Sequence, residues 1–482
     1  MSRGFGLLSD HVEGFEIILA SGEHLTVWKP DSDIIDIPEH TPKVTPKNRN
    51  DDLYWAVLGG SPGNFGILTH VYLRPHKDED HPDSRGMKIY SLYTKEKLEK
   101  VLSVITEMND NEDLPQDFDV CCTVVSDSLS CHFLRNLFLH KWLPNYINLD
   151  EKMLFDHPEQ YGDGVSYAEE GHTAMPGLPH SVILIYLQWA NVKGKAENFG
   201  DEQKKWFKRI REAASPGNLD WIFDELAEGI VSPIFKDIKK LLGDGEVLNF
   251  LHVNEDVHTP LSKLTRYWCY EDVREYVKPY EKRVYPSNKY DLSTNGWSEW
   301  ISRRVNDVID LGDTNRNVIL QAQLFGGTNS MFNKNGAKGL YHGCHSWRQE
   351  ISMGITLDCF YQPDKHNKRL RWAKDWQAEN DKCSQKGGIF STVDRHVLWG
   401  SYGRHSDPEE GASLYDVRDK YYDTEEKYLK LVAIKRQVDP HYIFTANMFG
   451  VDANNAPTGR QRIIHGRGYG FSGDISLNTE DE

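Results

Sequence analysis

The stretch from Trp55 to Val71 reads WAVLGGSPGNFGILTHV: an apolar helical pattern, then four glycines and a proline, then an apolar strand pattern. Glycine tolerates positive φ and lets a ligand or a neighbouring chain approach the backbone closely. Two common glycine devices fail here. The P-loop needs GK[ST] after its glycines, and this chain has Asn64-Phe65. The dinucleotide fingerprint runs from strand through glycines into helix, and here the order is reversed. Spacing alone leaves two readings open, a tight helix-to-strand corner with no ligand or a bare backbone surface for one.

The flanking sequence places that corner in a small sheet. EGFEIILASGEHLTVWKP reads as a β-hairpin with Gly22 in the turn, and GILTHVYLRP reads as a third strand. The run from Asp31 to Asn50 carries three prolines and many charges and reads as a loop. Asp51-Asp52 can cap the helix LYWAVL by accepting its free N–H groups. Pro75 and the charged HKDEDHPDSRG mark a boundary near residue 80.

Beyond it, KEKLEKVLSVITEM reads as an amphipathic helix, and DFDVCCTVV and SVILIYLQWA as strands. Residues 196–300 read as helix-rich, with Trp, Tyr and Phe at a core-like spacing. NGWSEWISRRVNDVIDL is a further helix, NVILQAQLFGG and ISMGITLDCFY are strands, and DTEEKYLKLVAIKRQV is a helix ended by Asp439-Pro440. The last 26 residues lack apolar periodicity and read as a loose tail.

Composition excludes several classes. With 482 residues the chain is long enough for about three domain-sized units. A net charge of −17 with no lysine/arginine block argues against a nucleic-acid groove. No apolar run approaches the ~20 residues that span a bilayer. Seven cysteines, odd in number and without a CxxC pair, do not read as a disulfide scaffold. Cys121-Cys122 reads as packed strand, and there is no GxSxG elbow or HExxH. YHGCHSW gathers His342, Cys344 and His345 without a second pair at zinc spacing, so it reads as a loop. Arg348 in SWR either binds a carboxylate or pairs on the surface.

LYWAVLGGSPGNFGILT resembles the glycine-rich stretch of the berberine-bridge-enzyme-like FAD-linked oxidoreductases, of the vanillyl-alcohol-oxidase type. SRGFGLLSDHVEGFEIILASGE is similar to the same family's N-terminal S-R-x-[FY]-G-L motif. VDPHYIFTANMF resembles its D-P-x-x-x-F-x-x-N, and FGGTNSMFNKN followed by HSWR is similar to fungal members. The motifs extend from residue 2 to about 451 in family order. The resemblance implies FAD, with oriented backbone amides meeting polar cofactor atoms. It assigns Gly59, Gly60, Gly63, Asn64, Gly66 and Ile67 to the cofactor site, with Gly6 and Val12 at its N-terminal edge. Asn447 either approaches the flavin from the C-terminal segment or satisfies its own turn backbone.

By the same resemblance the fold is α+β, an incomplete FAD-binding domain plus a substrate domain with a large antiparallel sheet backed by helices. The expected parts are residues 1–80, the residual FAD-binding domain; 81–431, the substrate domain; 432–455, a C-terminal return; and 456–482, a flexible tail. In the family a lobe with the pyrophosphate loop and the flavin-attaching histidine precedes SRxFGL. No R-G-x-G-H-type loop occurs in this sequence, so the expectations are weak or absent FAD binding by residues 1–482 and an exposed apolar edge on the hairpin of residues 14–29. For the same reason the missing secretory pattern at the N-terminus leaves the compartment open.

The implied reaction oxidises a small alcohol, sugar or secondary metabolite by hydride transfer to flavin, with O2 as acceptor. The alternative is a truncated, non-catalytic remnant. A base must take the heteroatom proton. The family's glutamate position matches Gln323, which cannot accept it but can orient substrate. The other acceptors are Tyr186, Asp358 and Tyr361, each with a plain structural alternative as packed or exposed strand residues. Strand alternation puts Val318, Leu320, Ala322 and Leu324 on a helix-packed side and Gln321 and Gln323 on the other.

Overall fold

The computed structural model describes residues 2–30, 47–59, 62–114, 117–126, 181–196, 198–214, 257–258, 279–294, 296–313, 315–338, 346–385, 387–390, 424–444 and 451–452. Residues 31–46 of the expected loop at 31–50, the tail, Gly60, Asn447 and the His342, Cys344, His345 cluster lie outside the described residues, and residues 47–50 of that loop are helical.

Two antiparallel sheets organise the chain. The first has the order β2-β1-β3, from β1 (Val12–Ile18), β2 (His24–Trp28) and β3 (Ile67–Leu73). Gly22, at φ +84°, closes the β1–β2 hairpin, and the Leu19 N–H donates to the Glu23 carbonyl at 2.9 Å. β1 is the central strand, with Phe15 opposite both Val27 and Val71. Two helices complete this unit, α2 (Lys47–Gly59) and α9 (Glu425–Val438), which follows six intervening helices described below and a short one, α1 (Ser2–Phe5), at the N-terminus. Phe15, Ile17 and Val27 pack with Leu53, Tyr54 and Val57 of α2 and with Leu431, Ile434 and Val438 of α9. Each such fully buried side chain contributes about 1.5–3 kcal/mol relative to exposure.

Two expectations change here. Asp51-Asp52 sit inside α2, which starts at Lys47, so they do not cap it. The apolar exposure falls on β3 rather than on the hairpin. Ile67, Val71 and Leu73 are about half exposed, whereas β1 is buried along its length because it is paired on both edges. α9 starts at Glu425 and packs on α2 and β1. Thr424 caps that helix by accepting from the Lys427 N–H at 3.3 Å.

The second sheet has seven strands in the order β7-β4-β6-β5-β9-β10-β8. They are β4 (Arg85–Leu92), β5 (Phe118–Val125), β6 (Val182–Trp189), β7 (Val257–His258), β8 (Tyr280–Ser287), β9 (Arg316–Leu324) and β10 (Met353–Tyr361). Every pairing is antiparallel. β8 lies within residues 196–300, read from sequence as helix-rich; its Glu-Lys-Arg triplet hides the alternation of Val284 and Tyr285.

One face of this sheet carries the helices α3 (Lys95–Asp110), α4 (Asp201–Ala214), α6 (Trp297–Ile309) and α8 (Lys368–Asp381), with the short α5 (Lys289–Thr294) beside them. In α3 the buried positions Leu98, Val101, Leu102, Ile105 and Met108 recur at helical spacing, and Thr94 caps the first turn. They meet Ile183, Ile185, Leu187, Val318, Leu320, Ala322, Leu324, Met353 and Leu357 from the strands. The remaining helix, α7 (Met331–Lys338), packs beside Phe325 and Ile351. None of the described helices is long and apolar enough to cross a membrane.

Candidate functional site

The sheet face turned away from the helix layer is polar. Antiparallel register aligns Tyr186 with Cys121 and Cys121 with Gln323 across β6, β5 and β9. Adjacent strands lie about 4.8 Å apart, so Tyr186 and Gln323 stand roughly 10 Å from one another at the backbone. The next pair along, Gln321 opposite Thr356, and then Asp358 opposite Ile319, continue this face toward the other end of β10. Asp358 is four residues beyond the Gln323 pair partner Gly354, about 13 Å along the strand. The face thus carries Tyr186 and Gln323 toward one end and Asp358 toward the other, with Gln321 and Thr356 between them and Val182, Leu184 and Ile319 on the same side.

Each candidate has a distinct environment. The Tyr186 hydroxyl donates to Gln188 Oε1, and both side chains are buried. Gln321 donates to the Cys121 sulfur at 3.5 Å, and burial pushes the Cys121 thiol up to about 11. Asp358 Oδ1 is shielded from water and has no hydrogen-bond partner among the described residues. Burial pushes the Asp358 carboxyl up to about 6, against the opposing pull of the Lys282 ammonium. Tyr361 stands apart, because its side chain joins the helix-packed core. Burial pushes that phenol up to about 12, so it keeps its proton at neutral pH. Alternation along the strand sets Gln188 on the face of Tyr186, whereas sequence reasoning passed over Lys282, which needed β8 to be recognised as a strand.

The N-terminal motif locks onto this end of the sheet. Arg3 is fully buried; its Nε donates to the Gly326 carbonyl at 2.7 Å and its guanidinium also donates to the Phe118 carbonyl at 2.7 Å. Burial pushes Arg3 down to about 10 despite the attraction of Asp119 and Asp117. Asp10 accepts two bonds from Arg348, at 2.9 and 2.7 Å, and one each from Asn335 and the Leu7 N–H. Arg348 is therefore neither a ligand arginine nor a surface one, but the buried partner of Asp10. Gly6, at φ +89°, brings its Cα against the Asp10 carboxylate and the Asn335 amide, where no Cβ fits.

The glycine corner is an anchor of the same kind. Asn64 is buried; its Oδ1 accepts from the Val451 N–H at 2.9 Å and its carbonyl accepts from Lys435 Nζ at 2.6 Å. Lys435 also pairs with Asp439 at 2.6 Å, both fully buried, and burial lowers the lysine pKa against that attraction. Gly66 presses on the Ile18 carbonyl and the Ile17 side chain, which leaves no room for a Cβ. Gly59 and Val12 are buried too. Gly63 and Ile67 are the assigned positions that remain open: Gly63 has free space around its Cα and Ile67 is 56% exposed. Asn64→Ala is expected to cost about 1–3 kcal/mol, because the buried Val451 N–H loses its acceptor. Hydrogen exchange at that amide is the measurement, with faster exchange the expected result.

Among the described residues of this corner, Gly63 and Ile67 leave open space, while Asn64 and Gly66 are occupied by protein contacts and Gly6 faces the Asp10 carboxylate. Among the described residues no His, Cys, Asp and Glu group is arranged to hold a metal ion.

No protein-family model matches the chain. Over 78 residues it is 36% identical to the FAD-linked oxidoreductase malF of Malbranchea aurantiaca and 31% identical to the VAO-type flavoprotein oxidase VAO615 of Thermothelomyces thermophilus. Each match covers 16% of this chain and 10% of the relative, so the chain spans about a tenth of the curated relatives it matches. Among solved structures, the xylooligosaccharide oxidase from Myceliophthora thermophila C1 in complex with xylobiose aligns with a TM-score of 0.48 at 14% identity, covering 93% of this chain and 68% of that one.

Proposed function

We propose that the chain is an FAD-dependent oxidoreductase of the berberine-bridge-enzyme-like kind, oxidising a small alcohol, sugar or secondary metabolite with O2 as acceptor. The observation that carries this reading is the sheet face turned from the helices, where the half-buried Asp358, its Oδ1 shielded from water and without a hydrogen-bond partner among the described residues, stands on the same side as Gln323 and Tyr186. The sequence relatives, FAD-linked oxidoreductases by name, support it.

When bound, flavin supplies the hydride acceptor. Asp358 acts as the base, its carboxylate taking the heteroatom proton; an acid raised to about 6 is mostly ionised at neutral pH yet still basic enough to accept. Gln321 and Thr356, the next pair along the face, orient substrate hydroxyls. Gln323 and Tyr186 serve the far end of an elongated substrate, because they stand too far from Asp358 to touch the same reacting atom. Tyr361 takes no part.

A specific observation favours a second reading, a non-catalytic remnant: Gly6, Asn64 and Gly66 are occupied by protein contacts rather than open to a ligand. Titrating FAD into the purified chain separates the two. The first reading expects weak but saturable quenching of flavin fluorescence and loss of absorbance near ~450 nm when a substrate is added without oxygen. Fluorescence that stays unchanged through the titration overturns it and leaves the remnant.

A further inference from the structure

We propose that the outer groove of α8 is a binding site for a small aromatic carboxylate, separate from the polar sheet face. Residues 368, 371, 372, 375, 376 and 379 follow helical spacing and present one stripe of α8. With Arg304 of α6 they line a cavity of about 420 Å³. That volume suits a small ligand.

Its walls are flat and fixed. The Arg304 guanidinium lies 5.0 Å from the Trp376 ring centre, and Arg316 lies 5.1 Å from that of Trp372. Arg304 is fully engaged, donating to Asn380, Asp307 and the Trp376 carbonyl, so it braces the indole rather than awaiting a ligand. The half-buried Trp372 offers ring surface to an incoming planar group.

The charges on the rim select the ligand. Lys368 and Arg371 are exposed and make no ion pair among the described residues, although the whole chain carries −17. Asp375, one helical turn beyond Arg371, is also without an ion pair among the described residues, and Glu379 is paired with Lys382 at 2.5 Å. Two free cations against one free carboxylate favour a monoanion over a polyanion. The half-buried Trp372 favours a ring over an aliphatic acid, with the buried Trp376 bracing the wall behind it. The groove lies on the helix layer, and Gln377 of the same helix donates inward to the Leu357 and Glu281 carbonyls. The sheet therefore separates it from Asp358.

Equilibrium dialysis of the full chain with radiolabelled benzoate tests the proposal, with acetate and benzyl alcohol as competitors. Benzoate is expected to bind one per chain with a Kd on the order of 1 mM. Acetate, which lacks the ring, and benzyl alcohol, which lacks the charge, are expected to compete about tenfold more weakly. Arg371→Gln and Lys368→Gln are each expected to raise the benzoate Kd about tenfold, the weight of one charge-assisted hydrogen bond. Asp375→Asn is expected to lower it. All three replaced residues are solvent-exposed, so the fold is retained. Non-saturating benzoate uptake, or binding indifferent to Arg371→Gln and Lys368→Gln, overturns the proposal.

Discussion

Asp10→Ala is expected to destabilise the chain by about 3–5 kcal/mol, the cost of leaving a buried charge without its partner. Arg348 is fully buried and Asp10 nearly so, and the two meet through a bidentate contact. Removing the carboxylate strands the guanidinium and also deprives the Leu7 N–H and the Asn335 amide of their acceptor. The damage is local in origin, because Asp10 ties the N-terminal turn to α7 and to the segment Ser346–Glu350. Hydrogen exchange should accelerate first in residues 3–11 and 331–338, and the urea midpoint should fall. Replacing the pair together, Asp10→Leu with Arg348→Met, is expected to recover most of the loss, since a buried ion pair and a well-packed apolar pair differ little in stability. A double variant as unstable as Asp10→Ala would show that the pair supplies more than mutual compensation.

The same contact shows what the sequence could and could not reveal. Local periodicity located β5, β6, β9, β10 and the helices α3, α4 and α6 because each buries one face, and burial writes its period into the chain. It also separated Val318, Leu320, Ala322 and Leu324 from Gln321 and Gln323, as the core confirms. Long-range pairings leave no such period. Nothing adjacent to Arg348 points to Asp10, 338 residues away, or links Lys435 to Asn64. Gly6 and Gly66 have no room for a side chain, because Asp10 and Ile17 occupy the space a Cβ would need. The surroundings of Tyr361, a candidate proton acceptor, were hidden for a related reason. Alternation set it on the face of Leu357 but could not say that helices cover that face.

Asp358→Asn is expected to lower turnover by about 10²–10⁴-fold, the range for loss of a general base. In the unaltered chain the rate should rise with pH and level off above about 6, following ionisation of Asp358. Stability should move the opposite way, and it can be read without cofactor or substrate. The buried carboxyl holds its proton up to about 6, whereas its ordinary value is 3.8. Below 3.8 both folded and unfolded chains are protonated, so the buried acid carries no penalty. As pH rises through that window the unfolded chain ionises first, and above about 6 the folded chain has been forced to ionise a buried group. The stabilisation present at low pH is then lost, by about 3 kcal/mol at most for a shift of this size. Asp358→Asn removes the titration, so the variant should be the more stable protein at pH 7–8 by up to that amount, with the advantage fading toward pH 4. A variant that loses turnover and gains stability at neutral pH identifies a carboxylate kept for its chemistry at the expense of the fold. A variant that loses both would mark Asp358 as a packing residue whose ionised form the fold already accommodates, and the base would have to be sought elsewhere on the same face.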